Sequence, residues 1–367
     1  MDERLASLPD PLVALDGRKI VAASQWQHRR RPELVDLFRE HIYGREPLQR
    51  PDSLSFTVVT ESSILESTAT RKQVDITFEG PGGTGVLHLL LFVPNNAPKP
   101  TPVFLLIDNR GTEDVPDRIA SSAFWPAEYM LSKGYAAAIF QVEDLDPDYD
   151  DDFRNGVHGI FDRPDQPRPE NAWATISAWA WGASRVMDYF ETDPDIDAKR
   201  VALVGHSRGG KAALWAGAVD ERFAMVVSNN SGSTGAALSR GKIGEKIKNI
   251  NINFPHWFTG NYKKYNDKED ELPVDQHMLL SLIAPRPLYV TSASEDSWAD
   301  PESEFLSLLL AQPVFRLFGL QGLETQPFPQ PDSPIHREKI GYHLRTGKHD
   351  LTEYDWQCFL DFARKYM

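Results

Sequence analysis

The pentapeptide "GHSRG", residues 205–209, sets a serine between two glycines. The apolar run "VALV" precedes it and "GKAALWAGAV" follows. The pattern reads as a buried strand, a sharp turn and a helix, the setting that G-x-S-x-G needs to expose a nucleophile. Glycines 205 and 209 lack Cβ atoms, so the turn can tighten and present the Ser207 hydroxyl. A serine hydroxyl is a weak nucleophile until a neighbouring base takes its proton. The chemistry in prospect is acyl transfer through Ser207. It requires a histidine, a carboxylate behind the histidine, and N–H groups aimed at developing charge. Two cations, Arg208 and Lys211, fall in the first helical turn. A helix N-terminus favours anions, so each is disfavoured there by about 0.5 kcal/mol at an exposed site, which asks for a functional reason.

The motif in this context points to the α/β-hydrolase fold, whose chain order is serine, acid, histidine. Among ten histidines, His349 fits that order. It lies in "RTGKHDLTEYDW", between the last strand and the last helix. His343, within the strand "IGYHLRTG", reads as structural. His206 precedes the nucleophile, and its side chain is expected to point away from the hydroxyl. His256 and His277 read as packing or loop-bridging residues. The acid belongs after the strand "PLYVTSA", where "SEDSWADP" offers Glu295, Asp296 and Asp300. The usual short loop before the acid favours Asp296. Asp300 precedes Pro301 and reads as a helix start. Glu295 reads as solvent-facing. Either could still assist or replace Asp296. One oxyanion N–H is expected from Arg208 and a second from Asn109 or Arg110 in "DNRG".

These residues need a scaffold, and the chain supplies one. "LSFTVVTES", "RKQVDITFEG", "GVLHLLLFVP" and "TPVFLLIDNRG" read as successive strands. The last is nearly all apolar from Val103 to Ile107, as for a strand buried on both faces. Helices and buried strands then alternate to the closing helix "LTEYDWQCFLDFARKY". That alternation predicts a mainly parallel sheet covered by helices on both faces. A single catalytic domain over 1–367 is expected, with an N-terminal arm over 1–50. A helix in "RRPELVDLFREHIYG" belongs to the arm, and another is expected over "NAWATISAWAWGASRVMDYFE". Insertions interrupt the alternation at 143–170 and 232–277. The acid run "EDLDPDYDDDF" of the first has no EF-hand spacing and reads as a solvated loop. The second is rich in aromatics and glycine and follows a strand, where open α/β sheets bind ligands. It reads as a substrate wall.

Composition sets further bounds. The net charge of −14 argues against a nucleic-acid surface. The one cysteine, Cys358, excludes an internal disulfide and reads as buried packing. No apolar run reaches the roughly 18 residues of a membrane span. No signal peptide is evident, so the expectation is a cytoplasmic chain, or a secreted or periplasmic one if a leader has been removed. No metal or cofactor motif appears, and a monomer is expected.

Taken together, "GHSRGGKAALWAGAVDERFAMVVSNNSGS", "FPHWF", "ELPVDQHMLLSLIAPRPLYV", "SEDSWADP" and "GKHDLTEYDW" resemble the bacterial branch of the glucuronoyl esterases. The resemblance is dense from about residue 100 onward. It implies a carbohydrate esterase that cleaves the ester between a 4-O-methyl-glucuronoyl side chain of xylan and a lignin alcohol. It implies that the guanidinium of Arg208 adds a donor beside the oxyanion. It sets Lys211 and Glu245 against sugar hydroxyls and Trp298 along the sugar pocket, with Trp257 of "FPHWF" among the substrate-binding residues. Sugar hydroxyls call for charged donors and acceptors, and an apolar ring face suits an aromatic. From the residues alone, the favoured reading of Glu245 is a surface helix residue paired with Lys248 or Lys242, and that of Trp298 a core residue. One departure matters. Where some members of the family carry a catalytic Glu, this chain has Asn230, which cannot supply charge to an imidazolium. The acid must then come from the later loop, which favours Asp296. A cysteine of some relatives is Ser233 here.

The nearest alternative is an acetylxylan esterase or related deacetylase on the same fold. A non-catalytic carbohydrate-binding relative is disfavoured by the intact Ser207, Asp296 and His349. A peptidase is disfavoured by the lack of a separate lid domain.

Overall fold

The computed structural model describes residues 8–47, 50–110, 122–163, 165–323 and 327–367. The arm carries α1 (Ala23–Gln25) and α2 (Arg31–Phe38), with π-helical turns at Trp26–Arg30 and Arg39–Tyr43. It ends at Gly44, whose φ of 87° suits a residue without Cβ. Tyr43 stacks on Trp215 with ring centroids 4.3 Å apart, which fastens the arm to the body.

Next come β1 (Leu54–Ile64), β2 (Ala69–Gly80), β3 (Gly83–Pro94) and β4 (Thr101–Asp108). Then follow α3 (Ala127–Ser132), β5 (Ala136–Gln141), α4 (Gly156–Phe161), α5 (Thr175–Phe190), β6 (Ile196–His206), α6 (Arg208–Val219) and β7 (Met225–Asn229). The C-terminal part contains α7 (Ile247–Asn253), α8 (Gln276–Ser281), β8 (Leu288–Ala293), α9 (Pro301–Leu317), β9 (Ile335–Arg337), β10 (Ile340–Arg345) and α10 (Glu353–Tyr366). The strands form one sheet in the order β1-β2-β3-β5-β4-β6-β7-β8-β10-β9. From β5 to β10 neighbours run parallel, while β1, β2, β3 and β9 join antiparallel. This is the mainly parallel α/β-hydrolase sheet that the alternation predicts, with an antiparallel extension at its N-terminal side.

Strand periodicity builds the core. Val103, Leu105, Ile107 and Leu203 join the apolar cluster with α5, α6, α8, α9 and the arm. Their neighbours Phe104, Leu106, Ala202 and Val204 face the other way, onto Met130 of α3 and Trp356 and Phe359 of α10. Side chains alternate across a strand, so a sheet covered on both faces reads as a continuous apolar run.

Two elements differ from expectation. The long helix begins at Thr175, not at Asn171, because Ala172 bridges in strand fashion to Arg45 of the arm and Asn171 O accepts Arg45 N–H at 2.8 Å. The acid-rich insertion contains the short helix α4, which its composition did not announce. Cys358 is buried, as its periodicity indicates. Because β4, β6, β7, β8 and β10 are parallel, their following loops gather at one edge of the sheet. Asn109, Ser207, Asn230, Asp296 and His349 all lie on those loops.

Candidate active site

Ser207 sits between β6 and α6 with φ 57° and ψ −124°, a conformation disfavoured for a residue with a Cβ. The turn is held from both sides. Ser207 N–H donates to Asn229 O at 2.9 Å, and Ser207 O accepts from Gly210 N and Lys211 N at 2.9 and 3.2 Å. A Cβ on Gly205 would lie 2.0 Å from Gly209 O, so only glycine permits this close approach. Strain that the surroundings over-determine is common where a side chain must be presented for chemistry. Arg208 is the first residue of α6, so its N–H is among the helix's unpaired N-terminal donors.

The loops after β8 and β10 bring His349 and Asp296 together, with Nδ1 to Oδ2 at 2.6 Å. The carboxylate accepts, so Nδ1 carries the proton and Nε2 is left for a hydroxyl. Burial opposes the charge on Asp296, but the His349 bond and the nearby ring hold its carboxyl below the usual range. The His349 side chain is 42% exposed and can meet a ligand. The other two acids of "SEDSWADP" do other things. Asp300 caps α9, accepting from Ser303 N at 3.2 Å and from Ile243 N at 2.9 Å. Glu295 is exposed. His206 packs its ring 4.6 Å from that of His349 and bonds Asn229 Oδ1 at 2.5 Å. Burial, then the neighbouring His349, drives its pKa down to about 3, so it stays neutral. His343 is fully buried against Asp355 at 2.8 Å, and His277 bridges to Pro9 O at 2.9 Å.

The two cations after Ser207 have specific partners. The Arg208 guanidinium bonds Asp148 and lies 4.7 Å from the Trp257 ring centroid. Asp148 also accepts from Trp257 Nε1 at 2.7 Å and His256 Nε2 at 3.1 Å. Burial opposes its charge, but these three donors bring its pKa down to about 2. Lys211 is 3% exposed, and its Nζ donates to Ser231 O at 2.7 Å and to Ser233 O. An ammonium has three donors, so a third remains. Burial lowers the Lys211 pKa to about 8. Glu245 comes within 3.9 Å of Lys211 Nζ, whereas Lys248 pairs with Asp267 instead. Glu245 N–H also donates to Trp298 O at 3.0 Å, which joins the two loops. Trp298 is 54% exposed, so the core alternative for it is overturned. Trp257 is buried and stacks on Phe254, centroids 3.8 Å apart.

On the far side of Ser207, Arg110 N–H is engaged by Asp108 Oδ1 at 3.0 Å. Of the two loop candidates for the second oxyanion donor, this favours Asn109. The Asn109 side-chain oxygen lies 3.1 Å from the place a Cβ on Gly209 would take. Among the described residues no group of three or more His, Cys, Asp or Glu gathers as metal ligands, and no helix is long and apolar enough to cross a membrane.

Sequence reasoning missed Asp148. It lies among several similar acids in "EDLDPDYDDDF", and nothing in the run marks one of them as facing Arg208. His256, whose sequence reads as packing or loop-bridging, bridges to this loop.

Comparison with known proteins places this geometry. A family profile described as glucuronyl esterase of fungi matches residues 91–319. A carbohydrate esterase from an unknown prokaryotic organism is 42% identical, covering 98% of this chain and 90% of the other. A 4-O-methyl-glucuronoyl methylesterase of Phanerochaete carnosa is 29% identical over 85% of this chain and 72% of its own. The solved glucuronoyl esterase of Solibacter usitatus superposes with a TM-score of 0.91 at 42% identity, covering 97% of each chain. A serine on a strained strand-to-helix turn, a paired His and Asp on the loops beyond it, and relatives matching nearly end to end leave one placement: this chain belongs to the glucuronoyl esterase family.

Proposed function

We propose that the chain hydrolyses 4-O-methyl-glucuronoyl esters, of the kind that join glucuronoxylan to lignin alcohols, through an acyl-enzyme on Ser207. His349 Nε2 takes the Ser207 proton as Oγ attacks the glucuronoyl carbonyl, and Asp296 stabilises the imidazolium. The oxyanion is met by the N–H groups of Arg208 and Asn109 and by the Arg208 guanidinium. The C–O bond to the alcohol breaks, and His349 returns its proton to the departing oxygen. Water then attacks the acyl-enzyme by the same route and releases the glucuronate.

The observation that carries this reading is the 2.6 Å His349–Asp296 pair on the loops beyond the strained Ser207. The surrounding residues support the choice of acyl group. Lys211 and Glu245 offer a donor and an acceptor for sugar hydroxyls, with Trp298 as an exposed ring face and Trp257 behind the cations. A small acetyl donor requires none of them. The test compares release of alcohol from a benzyl glucuronate ester with release of acetate from acetylated xylan. Preference for the glucuronate ester by at least tenfold in kcat/KM is expected. Faster acetate release would make the chain a deacetylase.

A further inference from the structure

Asn230, the first residue after β7, is buried beside the His349 loop, and its contacts show a use. It follows the last residue of β7 with φ 46°, in the left-handed region that Asn tolerates, and its N–H donates to Thr291 O at 2.8 Å. Its side chain is buried, and Nδ2 donates to Asp350 O at 3.1 Å. A flipped amide would set oxygen against oxygen, so the partner fixes the orientation.

Asp350 follows His349. Its carbonyl is met a second time by Arg345 Nη2 at 3.2 Å. The same nitrogen donates to Lys348 O at 2.6 Å, and Nη1 donates to Thr346 O at 3.0 Å. The carbonyls on both sides of His349 are therefore held by buried side chains from the ends of two strands, β7 and β10. Arg345 is fixed in turn by Asp355, whose Oδ2 lies 3.1 Å from its Nε and which is itself fully buried. Asp355 also accepts Thr352 N–H at 2.7 Å, tying the clamp to the start of α10.

We propose that Asn230 and Arg345 are positioning residues that fix the backbone of the His349 loop, so that the imidazole is held between Asp296 and Ser207. The inference rests on the reading of His349 as the base. An imidazole on an exposed loop has two soft backbone dihedrals per residue to fix, and a displacement near 1 Å can cost about a hundredfold in rate. In this chain the β7 position supplies a donor that orients the base, while the charge comes from the β8 loop.

The test uses Asn230→Gly, which keeps the left-handed backbone and removes the amide, and Arg345→Lys, which keeps a cation against Asp355 but loses the fork. Both are compared with wild type and His349→Ala on a benzyl glucuronate ester. Asn230→Gly is expected to lose about tenfold in kcat and Arg345→Lys several-fold, with KM within about twofold of wild type. The downfield proton signal of the His349–Asp296 bond should broaden or vanish in both. Wild-type kcat in folded Asn230→Gly and Arg345→Lys would overturn the clamp, and so would a rise in KM without loss of kcat. If His349→Ala kept its activity, the assignment of the base would fail, independently of the clamp.

Discussion

Asp148 accepts a hydrogen bond from Arg208 across a gap of 60 residues in sequence, which brings the acid-rich insertion to the nucleophile. With Trp257 and His256 on the same carboxylate, the guanidinium is aimed before any substrate arrives. As the proposed oxyanion donor, a guanidinium held this way costs no reorganisation when the oxyanion forms. Asp148→Asn keeps an acceptor but loses the charge. We expect kcat on a benzyl glucuronate ester to fall about tenfold with little change in KM, because the oxyanion exists only during reaction. Unchanged kcat would show that Arg208 needs no such partner.

Lys211 has its pKa lowered to about 8 by burial, so its charge is present below that pH and lost above it. If it binds sugar hydroxyls, KM should rise as pH passes about 8, while kcat changes less. Stability runs the other way. The unfolded chain holds this proton up to the ordinary lysine value, so stability should gain between pH 8 and that value. A KM profile of Lys211→Met that still rises at pH 8 would assign the effect to another group.

Trp298 is more than half exposed and supports little of the core. Trp298→Ala should leave the melting temperature nearly unchanged, since surface substitutions stay within about 0.5 kcal/mol. KM for the glucuronate ester should rise about tenfold, roughly 1.4 kcal/mol of lost ring contact. A large loss of stability with normal KM would make it a structural residue.

Glu304 is fully buried beside the site, accepting from Gly232 N at 2.8 Å and Ser292 Oγ at 2.6 Å. Burial raises its pKa to about 7. An acid whose pKa is raised on folding retains a proton that the unfolded chain gives up, so its ionisation costs stability as pH climbs from the ordinary value to about 7. Glu304→Gln can keep both contacts without the charge. Thermal melts from pH 5 to 8 should show the variant gaining on wild type. A gap independent of pH would mean that Glu304 is not protonated on folding.

Much of this was legible in the sequence, for identifiable reasons. The apolar runs of β4 to β8 and the turn at Ser207 announce themselves locally, because buried parallel strands carry few polar residues. Chain order then led to His349 and Asp296. The partners of the two cations were not legible. Asp148 is one acid among many in its loop, and the carbonyls of Ser231 and Ser233 that hold Lys211 belong to the backbone, which composition does not reveal. The start of α5 at Thr175 is not legible for a similar reason. The preceding residues 171–174 are helix-compatible, but the bridge from Ala172 to Arg45 of the arm keeps them out of the helix.

The central claim is that the charge behind the base comes from the loop after β8. It is tested most directly by kcat/KM of Asp296→Asn on a benzyl glucuronate ester at neutral pH. The His349–Asp296 geometry predicts a loss on the order of a thousandfold or more, as when an oriented imidazole loses its carboxylate. Activity within tenfold of wild type would contradict it and place the charge elsewhere.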